Sequence, residues 1–175
     1  MINSKSKPPV WQDELYESLR RNGITLFCYV PDAGHATLIA RSAHDPAVTS
    51  VPLTTEEEGV GLLAGAHLGD QRGVLLMQSS GVGNCINMLS LIAVGRFPFV
   101  TIVSMRGDFG EQNPWQFPMG QGTQPCLEAM GTRCYRIETS TEIVPTIDAA
   151  TGMAFRSDQA VAILLSQRLI GAKNF

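Results

Sequence analysis

Residues 73–78 (Gly73, Val74, Leu75, Leu76, Met77, Gln78) and 97–104 are apolar at consecutive rather than alternate positions. A strand needs apolar side chains on both sides only when both faces of its sheet are covered, so these runs demand helices above and below. The rest of the chain supplies them. Trp11, Leu15 and Leu19 recur at helical spacing within residues 10–22, and Gly23 is placed to end that helix. Strand-like runs follow at 24–30, 47–53, 134–137 and 160–166, separated by helical stretches at 36–43, 55–68, 84–95, from about 125, and 141–156. This alternation predicts an α/β fold, a three-layer parallel sheet with helices on both faces, built as a single domain over 10–170. Residues 1–9 carry Lys5 and Lys7 with no apolar run behind them and are expected to be a frayed tail rather than a secretion signal.

Several classes of function drop out on charge and composition. The net charge of −3 and pI near 5.6 give no basic footprint for nucleic acid. No apolar run reaches the roughly 18 residues that a membrane-spanning helix needs, and a cytoplasmic location is expected. Cys28, Cys85, Cys126 and Cys134 form no Cys-x-x-Cys pair, and His35, His44 and His67 match no zinc motif, so no metal site is expected from this chain.

The informative stretch is 51–84. Thr54 and Thr55 precede Glu56, Glu57 and Glu58, an arrangement that caps a helix and offsets the positive end of its dipole. The helix continues through Gly59, Gly61 and Gly65, each costing about 1 kcal/mol relative to alanine, so something must approach its backbone closely. A carboxylate beside such a surface would be desolvated and suited to proton transfer near neutrality. Gly59-Val60-Gly61-Leu62-Leu63-Ala64 formally matches a dinucleotide fingerprint, but three glutamates at that helix start would repel a pyrophosphate. Ser80-Gly81-Val82-Gly83-Asn84 follows a buried strand and precedes a helix, where open sheets bind ligands. It is neither a phosphate-binding P-loop nor a nucleophile elbow. Residues 105–123, rich in Gly, Pro, Gln and aromatics, are too long for an ordinary connection and are expected to carry function. Arg106 stands at their start, at a strand's carboxyl end. Its guanidinium suits bidentate binding of an acidic group or, alternatively, a salt bridge to Asp108 or Glu111.

Glu57 through His67, followed by Ser80-Gly81-Val82-Gly83-Asn84, resembles the pyrimidine-binding domain of thiamine diphosphate enzymes. More narrowly, Val30-Pro31-Asp32, Glu-Glu-Glu-Gly-Val-Gly, Arg106-Gly107 and Asn113-Pro114-x-Gln116-x-Pro118-Met119-Gly120 are similar to the alpha subunits of sulfopyruvate decarboxylases and to the related phosphonopyruvate decarboxylases. Met105-Arg106-Gly107 departs from the His-Arg-Gly of those relatives, and His35 is a candidate replacement for the lost histidine. The resemblance implies that Glu57 hydrogen-bonds the cofactor's aminopyrimidine, that Ser80, Gly81, Val82, Gly83 and Asn84 face the cofactor, and that Asp32, His35, Arg106 and Gln116 surround a 2-oxo acid. The chain contains no Gly-Asp-Gly, the element that holds Mg2+ and the diphosphate in this family. A separate beta subunit is therefore implied, in a hetero-oligomer whose lone alpha chain could self-associate. On the residues alone, a non-catalytic ligand-binding or regulatory subunit, with Glu57 as a mere cap, stays open.

Overall fold

A computed structural model of the protein describes residues 10–172; the expected tail at 1–9 lies outside them. Six strands form one sheet: β1 (Leu26–Tyr29), β2 (Thr49–Pro52), β3 (Gly73–Gln78), β4 (Phe99–Ser104), β5 (Arg133–Ile137) and β6 (Ala160–Leu165). Their order is β2-β1-β3-β4-β6-β5, and every pairing is parallel. The helices are α1 (Trp11–Arg21), α2 (Ala36–His44), α3 (Glu56–Leu68), α4 (Ser79–Cys85), α5 (Leu89–Gly95), α6 (Phe117–Ala129), α7 (Ile143–Ser157) and α8 (Gln167–Ile170).

The unbroken apolar strands divide their side chains between two cores. Leu76, Ile102 and Ile163 point to one side, where Leu15 and Leu19 of α1 and Ile147 and Ala154 of α7 cover them. Leu75, Met77, Val103 and Leu164 point to the other, beneath Val60 and Leu63 of α3, Val82 of α4 and Leu127 of α6. All six residues of β4 are buried. Each large side chain so removed from water is worth about 1.5–3 kcal/mol, which is what fixes the register. Among the described residues no helix is long and apolar enough to cross a membrane.

Two boundaries differ from the sequence expectation. The chain enters α4 at Ser79, directly after β3, so residues 81–83 are helical rather than a turn. Helix α6 begins at Phe117 and carries Pro125 inside it. A proline usually favours a helix start, but here Pro118 already occupies the first turn, and Pro125 only removes one interior N–H.

From β1 the chain moves outward to β2, then crosses back to β3 on the far side of β1. The connections leaving β1 and β3 therefore run to opposite faces, through α2 on the first core and α4 on the second. Such a reversal opens a crevice at the carboxyl ends of the two strands, the usual ligand position in an open α/β sheet.

Candidate functional site

Three consecutive helical residues point about 100° apart, so the glutamates that open α3 cannot share an environment. Glu58 turns back over the helix start, where its Oε2 accepts the Thr54 N–H at 2.9 Å. Glu57 accepts a hydrogen bond from the Thr55 hydroxyl, which, with a backbone N–H, holds its carboxyl below the ordinary range at the surface. Capping thus accounts for Glu58, and Glu57 leans on the Thr55 hydroxyl. Glu56 remains, only 9% exposed and turned toward α4. Its Oε2 accepts from Asn84 Nδ2 at 2.8 Å, while Oε1 has no partner among the described residues. The carboxylate lies on the bare backbone of Gly81: a Cβ there would come within 2.3 Å of Oε1 and 2.5 Å of Cδ. The carboxylate packed against Gly81 is therefore Glu56, while Glu57, one residue of helical rotation away, stays partly exposed at the first turn of α3.

Within that segment, Gly81 and Asn84 meet Glu56, Gly83 lies exposed beside Met119, and Val82 is fully buried in the core with no face for a ligand. Ser80 looks the other way, its Oγ donating to Gln78 Oε1 at 2.9 Å.

The crevice between β1 and β3 holds the second group of polar residues. Asp32 Oδ2 accepts from Ser104 Oγ at 2.6 Å and from the Gly34 N–H at 3.0 Å, and Oδ1 accepts from Gln78 Nε2 at 2.9 Å. Burial alone would raise the Asp32 carboxyl, yet these donors, Ser104 foremost, outweigh it and hold the group below the usual carboxylate range. A small cavity of about 190 Å³ opens here, lined by Asp32, Ala33, Gly34, Ser104, Arg106 and Ile170.

His35 does not reach this cavity. Its ring is fully buried, Nε2 lies 3.1 Å from the Met77 carbonyl, and Nδ1 has no partner among the described residues. Burial pushes the imidazole below its ordinary range, so it is neutral and serves as an internal wedge rather than a replacement anion binder.

Arg106 lines the cavity, but its fork is occupied. Nε and Nη2 donate to Glu111 at 2.6 and 2.8 Å, with both side chains buried. Glu111 also accepts from the backbone N–H groups of Gly107, Gln112 and Asn113 and from Gln167 Nε2. The Arg106 hydrogen bonds, followed by these backbone donors, outweigh burial and keep the Glu111 carboxyl far below the usual range. Of the two readings of Arg106, the geometry builds the salt bridge and leaves only Nη1 without a partner among the described residues. Gln116 stands apart from the cavity, its Oε1 buried and unpartnered among those residues. The sequence reading passed over Gln78, Ser104 and Gln167, and named Glu111 only as an alternative partner of Arg106. The first two announce themselves only as polar residues ending apolar strands.

No protein-family model matches the chain. Individual relatives do. The chain is 36% identical over 154 residues to the sulfopyruvate decarboxylase subunit alpha of Methanococcus maripaludis, covering 87% of this chain and 92% of that one. A sulfopyruvate decarboxylase of Methanosarcina acetivorans is 30% identical over 159 residues, covering 90% of this chain but only 40% of that longer protein. Among solved structures, a 2-oxoglutarate:ferredoxin oxidoreductase from Magnetococcus marinus shares the fold with a TM-score of 0.69 at 17% identity, covering 93% of this chain and 29% of that one. The near end-to-end match to the first of these places the chain in the sulfopyruvate decarboxylase subunit alpha family.

Proposed function

We propose that this protein is the pyrimidine-binding subunit of a two-subunit, thiamine diphosphate-dependent decarboxylase that converts sulfopyruvate to sulfoacetaldehyde and carbon dioxide. The observation that carries this reading is the near end-to-end match to a sulfopyruvate decarboxylase subunit alpha, joined to a partly exposed carboxylate, Glu57, at the first turn of α3 where the resemblance puts the cofactor's acceptor. A ring nitrogen of an aminopyrimidine suits such an acceptor. When bound, the cofactor supplies the electron sink for loss of carbon dioxide. This chain would supply the rest of its half of the site. Glu57 would hold the proton shared with the ring, Glu56 braces α3 against Gly81 and Asn84 of α4, the exposed Gly83 lies open beside them, and the Asp32–Ser104–Arg106 cavity takes the 2-oxo acid. Arg106 then offers that acid Nη1 alone, not a bidentate fork.

The diphosphate and Mg2+ fall to a partner subunit in this reading, for two reasons. The longer Methanosarcina relative carries more than half its length beyond the region matched here. The outer side of α3 is also built for company: Gly65 has nothing within 4 Å of a Cβ position, Gly61 meets only Met88 at 3.4 Å, and Leu68 and Val94 are 77% and 87% exposed nearby. Glycines that nothing in their own chain requires, beside bare apolar side chains, suit a closely packed neighbour.

The test is reconstitution. The purified chain with thiamine diphosphate and Mg2+ is expected to release no carbon dioxide from sulfopyruvate until a partner bearing the Gly-Asp-Gly element is added. Turnover by the chain alone would overturn the two-subunit reading.

A further inference from the structure

Gln78 ends β3 at the point where the strand order reverses, a single amide at the tip of an otherwise apolar strand. Its two ends do opposite work. Oε1 accepts from Ser80 Oγ at 2.9 Å, and Nε2 donates to Asp32 Oδ1 at 2.9 Å. A carboxylate only accepts, so the amide can stand one way round: NH2 toward Asp32, oxygen toward the Ser80 hydroxyl. One side chain thereby bridges the start of α4, whose Gly81 and Asn84 hold Glu56, and the carboxylate that walls the cavity beyond β1.

We propose that Gln78 is a positioning residue that acts through Asp32, fixing the direction of its carboxylate in the cavity and coupling it to helix α4. This rests on the reading of that cavity as the substrate side of a decarboxylase site.

The charges around Asp32 make Gln78 matter. From the turn at 33–35, His35 faces it but is neutral through burial. From beyond β4, Arg106 faces it with its charge already matched by Glu111. The other residues of the cavity wall, Ala33, Gly34, Ser104, Ile170 and Gly171, carry no charge. Asp32 therefore keeps its proton off chiefly through the Ser104 hydroxyl, the Gly34 N–H and the Gln78 amide, and Gln78 is the donor among them that can be exchanged for an isostere of opposite effect. A glutamate in its place would set two carboxylates together, and one would have to take up a proton.

The experiment follows the γ-carboxyl of Asp32 by 13C NMR in the full cofactor-free chain, assigned with Asp32→Asn, in wild type, Gln78→Glu and Gln78→Met. Gln78→Glu is expected to raise the midpoint of the carboxyl pair by about one pH unit or more. Gln78→Met removes the donor without adding charge and is expected to raise it by about half a unit to one unit. In the reconstituted complex, the acid limb of kcat/KM should move up in parallel. If neither variant moves the Asp32 titration while both remain folded, the proposal is overturned, whatever happens to turnover. If the titration moves and the pH–rate profile does not, the hold of Gln78 on Asp32 stands and the assignment of this cavity to substrate falls.

Discussion

Glu56→Gln and Glu57→Gln differ by one residue of helical rotation and should differ by orders of magnitude in effect. At position 56 the substitution keeps the shape of a side chain packed on Gly81 and keeps an acceptor for Asn84. What changes is charge. The hydrogen bond passes from charge-assisted to neutral, losing about half its strength, on the order of 1 kcal/mol. Relief from burying a charge offsets part of this, so the fold should survive. Turnover should change little. Loss of an acid–base group is worth a factor of roughly 10² to 10⁴ in kcat, or about 2.7–5.4 kcal/mol in the barrier. At position 57 that loss is the expected one, while the fold forfeits only an acceptor for the Thr55 hydroxyl. Gly81→Ala tests the structural role of Glu56 without touching the glutamate. Its Cβ cannot sit 2.3 Å from Oε1, so Glu56 must swing off Asn84 and stability should fall with it. The assay is carbon dioxide release by the reconstituted complex, with urea melts of each variant. Equal losses of turnover at 56 and 57, or an unimpaired Glu57→Gln, would refute the reasoning.

Three further outcomes are expected. Arg106→Lys breaks the bidentate contact to Glu111 and should lower stability more than it raises KM; a large rise in KM with unchanged melting would restore Arg106 as the main anion reader. Because the folded Glu111 carboxyl lies well below its unfolded value of about 4.3, its contribution is present above that pH and lost as pH falls further. Glu111→Gln, which strands a buried guanidinium, should cost about 3 kcal/mol at pH 7 and flatten the acid limb of the stability curve, and parallel curves in urea melts from pH 7 to 3 would contradict this. Gly65→Ala has free space around it and should stabilise the isolated chain by up to about 1 kcal/mol while weakening association with the partner; tighter association by analytical ultracentrifugation would remove the interface argument.

The layering of the fold was legible because burial on both faces leaves a direct trace: β3 and β4 are apolar at every turn of the pleat, and no other arrangement tolerates that. The site was legible only as a neighbourhood. Three adjacent glutamates look alike along a chain, and which one is buried depends on the angle at which α3 crosses α4, a tertiary quantity with no local signal. The same holds for Arg106. A lone arginine at a strand end reads equally well as a ligand or as a strut, and its partner Glu111 lies across an irregular loop whose path the sequence does not dictate. The buried place of His35 was hidden for a related reason, since a histidine after a strand can point up into a crevice or down beneath it, and only the packing of Met77 and Ile102 decides.

The glycines separate what this chain needs for itself from what it holds ready for something else. A Cβ at Gly59 would strike Leu75 and Leu53 at 2.5 and 2.9 Å, so that glycine is demanded by the chain's own core. Gly81 is demanded by Glu56. Gly65 is demanded by nothing among the described residues, yet it sits in the middle of α3 and weakens it. A helix apolar on all sides is stable in water only when all its sides are covered. The inner side of α3 is covered by β3, α4 and α5, which leaves the outer side, and the partly exposed Glu57 at its first turn, for a second subunit to close over.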